Sequence, residues 1–128
     1  MTVHLDHTIL EVANVADSIA FYRDVLGFEH RGRAGPFEEL LVEPDFAIEL
    51  VPASHPDSRH LAFAMDRATF DGAFSRIREH GVAFGDGPGS VDNMRGPGRS
   101  SGVHGGTESV YFCDPSGHVL EILTYDPA

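Results

Sequence analysis

The chain has 128 residues and a formal net charge of −11, with a sequence pI of about 4.9. That length suits one compact domain, or two small modules sharing a core. The acidity disfavours a nucleic-acid partner, and no apolar run reaches the roughly 18 residues of a membrane-spanning helix. The N-terminal MTVHLDHTIL lacks the basic start and apolar stretch of a secretory signal, so a cytoplasmic location is expected. A single cysteine, Cys113, excludes an intramolecular disulfide. In the apolar setting VYFCDP it is expected to pack as a small buried hydrophobe rather than act as a reactive thiol.

In chain order, residues 3–12 (VHLDHTILEV) read as a first strand. A helix follows from Val15 to Leu26, with Asn14 or Asp17 to cap it, Ile19, Tyr22, Val25 and Leu26 on one stripe, and Gly27 to end it. GFEHRGRAG, FEELLVE and FAIELV read as three antiparallel strands, the last two joined by a turn at Pro44-Asp45. SRHLAFAM is the next strand. Asp66 caps a second helix with Phe70, Phe74 and Ile77 on one face, closed by Gly81. GVAF forms a strand, and TESVYFCD and HVLEILTY form a hairpin around Asp114-Pro115-Ser116-Gly117.

The second half repeats the plan of the first. His7 matches His60 and Phe21 matches Phe74 at one offset, and Glu49 matches Glu121 at a larger one. The fold expected is α+β: two βαβββ modules in curved mixed sheets, helices outside, within a single domain of residues 1–128. Module 1 covers about 1–53 and module 2 about 58–126. The larger offset comes from an insertion at 85–107, rich in Gly, Pro and Ser, which reads as a loop. It carries Arg95, Arg99 and His104, a cationic cluster suited to a lid over an anionic or enolate-like substrate.

Four residues interrupt apolar strands: His7, Glu49, His60 and Glu121. An ionisable group inside a buried strand is costly unless something neutralises it. By strand alternation each lies on the face away from the bulkiest apolar residues, beside Ala47, Ala62 and Ala64. Two imidazoles and two carboxylates at equivalent positions of a repeat match the donor set of a divalent ion, and their charges cancel against it. All four together suit Zn, Ni, Co or Mn. His7, His60 and Glu121 without Glu49 form a two-His-one-carboxylate triad, which suits Fe(II) or Mn. Glu11 shares the face of His7 and is a further candidate for the pocket. His4, His30, His55 and His80 read as solvated, and His118, after the turn glycine, as a turn residue.

LDHTILEVANVADSIAFYRDVLGF, RHLAFAM and VYFCDPSGHVLEILTY together resemble the vicinal oxygen chelate superfamily, the glyoxalase/bleomycin-resistance/extradiol-dioxygenase group, along essentially the whole chain. The resemblance implies half-open barrels around a metal, ligated by His7, His60 and Glu121, with Glu49 in the place of the fourth ligand of the glyoxalase I pattern. The fosfomycin-resistance pattern departs from this chain in expecting Thr where Ile9 stands, and in a basic C-terminal extension. Bleomycin-binding members generally lack the ligand set.

The expected function is therefore a metal-dependent enzyme of glyoxalase type. The ion chelates two oxygens of a small substrate, and Glu121 or Glu49 moves a proton through an enediolate, in lyase or isomerase chemistry. One alternative is an extradiol-type dioxygenase using Fe(II), with His104 as acid/base from the lid. Another is a non-catalytic antibiotic binder. The expected partners are a small-molecule substrate and a second copy of the chain in a homodimer that covers open sheet edges.

Overall fold

The computed structural model describes residues 2–128 and divides at Asp57/Ser58 into two compact units. The architecture is the α+β one expected, with two helices and nine strands in two mixed sheets among the described residues. No helix among the described residues is long and apolar enough to cross a membrane.

Unit 1 runs β1 (His7–Val12), α1 (Val15–Asp24), β2 (Glu29–Ala34), β3 (Phe37–Glu43) and β4 (Phe46–Pro52). The sheet order is β1-β4-β3-β2, with β1 parallel to β4 and the rest antiparallel. Strand alternation sorts the side chains: Leu10, Val12, Leu40, Ile48 and Leu50 are buried on one face, while Ile9 on the other is exposed. Asn14 is the residue that caps α1, its side-chain oxygen accepting from the Asp17 amide at 3.0 Å. The helix stops at Asp24 rather than Leu26. Gly27 takes a left-handed φ of +81°, and the Phe28 amide then reaches back to the Tyr22 carbonyl. That return stacks the buried Tyr22 and Phe28 rings, and it explains the FYRDVLGF spacing. The first strand is also shorter than the expected 3–12: residues 2–6 lie outside it, with Val3 and Leu5 exposed.

Unit 2 runs β5 (His60–Ala64), α2 (Arg67–Glu79), β6 (Phe84–Gly85), β7 (Gly98–Gly102), β8 (Gly105–Cys113) and β9 (Val119–Thr124). β5 is parallel to β9, β9 antiparallel to β8, and both β6 and β7 pair with β8. Asp66 caps α2 by accepting from the Thr69 amide at 2.8 Å. Phe70, Phe74 and Ile77 are buried, as are Val110, Phe112, Leu120 and Ile122 of the sheet. The strand expected at GVAF shrinks to two residues. The segment expected as a loop at 85–107 instead contains β7 and the start of β8. Gly98-Arg-Ser-Ser-Gly102 has no apolar alternation, so its pairing with β8 is invisible to pattern reading.

The turn between β8 and β9 fixes the entry to both site-bearing strands of this unit. Asp114 is buried and its Oδ1 accepts from the Ser116 and His118 amides, each at 2.9 Å. The fully buried His118 accepts at Nδ1 from the Arg59 amide at 3.0 Å, and the Ser58 hydroxyl donates to the Gly117 carbonyl. The DPSGH sequence thus ties the turn to the residues just before His60. Asp114→Ala leaves two amides without their acceptor. It is expected to cost about 1–3 kcal/mol, read as a lower urea midpoint at unchanged m-value.

Candidate metal centre

The parallel ladders place the four singled-out residues as two pairs with one geometry. In unit 1 His7 lies opposite Ala47, two residues before Glu49. In unit 2 His60 lies opposite Val119, two residues before Glu121. The same diagonal relation therefore recurs at the level of register.

In unit 2 the pair is closed, with His60 Nε2 3.2 Å from Glu121 Oε1. The His60 side chain is 45% exposed and that of Glu121 only 7%. The second oxygen, Glu121 Oε2, is buried with no hydrogen-bond partner. A buried carboxylate oxygen without a donor or cation is costly. Tyr111 stands directly opposite Glu121 in the β8–β9 register and is almost fully buried. Its hydroxyl donates to Ser100 Oγ at 2.9 Å. Burial raises the Tyr111 pKa above its usual 10, opposed by the bond to Ser100 and reinforced by the charge of the neighbouring Glu121 and by a side-chain contact with that carboxylate. Thr107 and Ser109 on the same face share a 2.8 Å hydroxyl contact.

In unit 1 the pair is open. His7 Nδ1 is 2.7 Å from Asp6 Oδ2, so the Asp6 carboxylate orients the ring. The bond to Asp6 raises the His7 pKa above 6.5, with smaller contributions from Glu49 and Glu39. Glu39 sits directly opposite Glu49 across β3–β4, and both are half-buried. Two like charges at directly opposed positions destabilise a ladder unless a cation offsets them. Asp6, Glu39 and Tyr111 are thus neighbours of the pairs that sequence reading did not single out. Asp6 and Tyr111 had a signal, since each adjoins or opposes a candidate ligand. Glu39 in FEELLVE had none.

Among the described residues, no group of three or more His, Cys, Asp or Glu side chains is placed to hold a metal ion. The expected fourfold set is present as two pairs, each inside its own unit. His104 does not join Glu121 as the expected acid/base. It lies at the tip of the β7–β8 hairpin, its ring edge-on to Tyr125 at 5.3 Å and its amide 3.3 Å from the Tyr125 hydroxyl. Seven residues of strand separate it from Tyr111, on the order of 20 Å at about 3.3 Å per residue. Arg99 pairs opposite Glu108, and so lies on the sheet face away from Tyr111 and Glu121. Arg99 and His104 thus do not converge on Glu121 within this unit. His30 is not simply solvated either; its Nε2 is 2.8 Å from Glu38 Oε1. Cys113 is partly buried, and burial raises its thiol pKa.

The strand order, the repeated His/Glu register and the DPSGH turn define a protein of two βαβββ-like units, the second with one extra strand, each carrying a His/Glu pair on its parallel ladder. A sequence profile of the Glyoxalase/Bleomycin resistance protein/Dioxygenase superfamily matches residues 4–122, and the chain belongs to that superfamily of metal-dependent vicinal oxygen chelate enzymes. It is 27% identical to the metallothiol transferase FosB of Shouchella clausii, over 94% of this chain and 79% of that protein. It is 26% identical to a catechol-2,3-dioxygenase of Bacillus subtilis, over 97% of this chain but 42% of that longer protein. Among solved structures, oxidase ChaP-H1 superposes with a TM-score of 0.82 at 32% identity, over 98% of both chains.

The Asp6–His7 contact has a checkable consequence. His7 binds its proton more tightly folded than unfolded, so this pairing stabilises the metal-free protein below pH 6.5 and fades as pH rises through the folded pKa. In an NMR titration of metal-free protein, His7 is expected to titrate above 6.5. Asp6→Asn is expected to bring it back toward that value, and an unmoved titration contradicts the assignment.

Proposed function

We propose that the chain is a metal-dependent vicinal oxygen chelate enzyme that moves a proton between adjacent carbons of a small oxygenated substrate, in isomerase or lyase chemistry. The observation that carries this reading is the repeated register of His7/Glu49 and His60/Glu121, together with the orphaned Glu121 Oε2. The donors fit a divalent ion. Two imidazoles present ring nitrogens, one carboxylate oxygen is buried and unsatisfied, and Asp6 orients the first histidine. His7, His60, Glu121 and Glu49 would hold the ion, with Zn, Ni, Co or Mn suited to the set. When bound, such an ion supplies Lewis acidity to two neighbouring substrate oxygens and offsets the negative charge developing there.

The chain's own groups supply the rest. Glu121 is enclosed and faces His60, so it serves to hold rather than to exchange protons. Glu49 is half-buried on the open face of unit 1. It is the carboxylate better placed to take a proton from carbon at Oε and return it to the neighbouring carbon. Tyr111, kept protonated by burial, presents a hydroxyl beside Glu121 that can orient a substrate oxygen.

A homodimer is part of the proposal, the half-set of one copy meeting the complementary half-set of its partner. β1 and β5 are edge strands that pair on one side only, and exposed Val3, Leu5 and Ile9 flank His7. A second reading, Fe(II)-dependent ring cleavage of a catechol-like diol, is favoured by the likeness to the catechol dioxygenase.

Elemental analysis of purified protein is expected to find about one divalent ion per chain, lost in the double variant His7→Ala/His60→Ala. Zinc, nickel or cobalt supports proton transfer, and iron supports ring cleavage. A heterodimer of His7→Ala and His60→Ala chains is expected to keep one ion per dimer, because one of its two shared sites retains both histidines. No bound ion in that heterodimer, or a monomeric mass by light scattering, contradicts the shared site.

A further inference from the structure

Unit 2 contains an open cavity of about 720 Å³ that the metal reading does not use. Arg99 of β7, Gly106 and Glu108 of β8, Thr124 of β9 and the following Asp126 are among the residues that line it. Arg99, Glu108 and Thr124 form one row across the three strands. By alternation that row lies on the sheet face away from Tyr111 and Glu121. Further along the same face Val110, Phe112 and Ile122 are buried. Toward the hairpin end Gly106 adds no side chain, which leaves the row open.

Arg67, the first residue of α2, ties the acidic side of this cavity together. Its guanidinium pairs with Glu108 and Asp71 and donates to the Asp126 carbonyl at 2.8 Å. Its amide donates to Asp126 Oδ2 at 3.2 Å. Glu108 is thereby engaged. Arg99, directly opposite it, is exposed and makes no side-chain hydrogen bond or ion pair among the described residues. One unpaired cation therefore stands on β7, while Glu108 on β8 and Asp126 beyond β9 share a single guanidinium. The wall is dipolar in the direction that crosses the strands. Strands lie about 4.8 Å apart, so the two ends of that dipole are on the order of 5–10 Å apart.

A simple anion meets one guanidinium in this cavity together with the charges of Glu108 and Asp126, and a simple cation meets Arg99. A ligand carrying both signs at the spacing of the wall satisfies both ends. We infer that this cavity binds a short zwitterion with the charge spacing of a free dipeptide, its carboxylate on Arg99 and its ammonium on Glu108 and Asp126. Two residues of extended chain reach about 7 Å, which matches the wall. In a single α-amino acid the two charged groups share one carbon and cannot span it. The cavity lies wholly in unit 2, so the inference is independent of the metal reading.

The test is an NMR titration of the ¹⁵N-labelled 128-residue chain with three probes. Glycylglycine carries both charges, glycylglycinamide the ammonium alone and N-acetylglycylglycine the carboxylate alone. Glycylglycine is expected to bind at least about tenfold more tightly than either of the others, with shifts at the Arg99, Gly106 and Asp126 amides. Arg99→Gln is expected to bind glycylglycine no better than glycylglycinamide. At Gly106 an added Cβ meets only Ser100 O, at 4.0 Å, so Gly106→Val fills the cavity without a clash and is expected to weaken glycylglycine at least about tenfold. Equal binding of the three probes, no saturable binding of glycylglycine, or shifts centred on His60 and Glu121 overturns the inference. So does a preference for glycylglycine that survives Arg99→Gln, or an unchanged affinity in folded Gly106→Val. Arg99 is exposed and unpaired, so Arg99→Gln decides the matter even where Gly106→Val does not fold.

Discussion

The parallel ladder between the first and last strand of each unit is the constraint on which the site depends. An antiparallel neighbour can follow through a short turn, but a parallel one requires the chain to cross over and return. In each unit the helix and the intervening strands make that return, bringing a histidine near the start of the unit to a glutamate near its end. The offset is the same in both, with the glutamate two residues beyond the partner of the histidine. A slip of one residue would turn either glutamate to the helix-covered face. The apolar alternation opposes such a slip, because Ile48 and Leu50, or Leu120 and Ile122, would then leave the core.

The two pairs share a register but not an environment. His7 and Asp6 stand in solvent, and the imidazole is tuned by a carboxylate that is itself 79% exposed. Glu121 is enclosed among Tyr111, Leu123 and the β8 hydroxyls, with one oxygen left without a donor. A single arrangement thus supplies one adaptable donor pair and one preorganised pair.

Much of this was legible in the sequence because burial and alternation are local signals. The cap at Asp66, the glycine ending α1, the Asp114 turn and the face on which each candidate ligand lies all follow from residue type and parity. The repeat raises His7 and His60 above the other histidines, and the structure shows His118 to be a buried turn residue. Three features escaped. β7 is built from Gly, Arg and Ser, and only its hydrogen bonding to β8 makes it a strand. His104 suits a lid only if 85–107 is a loop, and the β7–β8 hairpin carries it along the strand away from Glu121 instead. Glu39 lies in a strand whose charged residues look like an ordinary wet face, and only the register reveals that it confronts Glu49.

The carboxylates of the two pairs differ in enclosure. Glu121 has a histidine at 3.2 Å and little access to water, so protonating and deprotonating it in a cycle would repeatedly disturb a buried pair. Glu49 is less enclosed and stands directly opposite Glu39 on the open face of unit 1. On the proposed function, the open face of unit 1 would serve proton movement and the closed face of unit 2 the holding of the ion, an asymmetry that the duplicated strands alone do not predict.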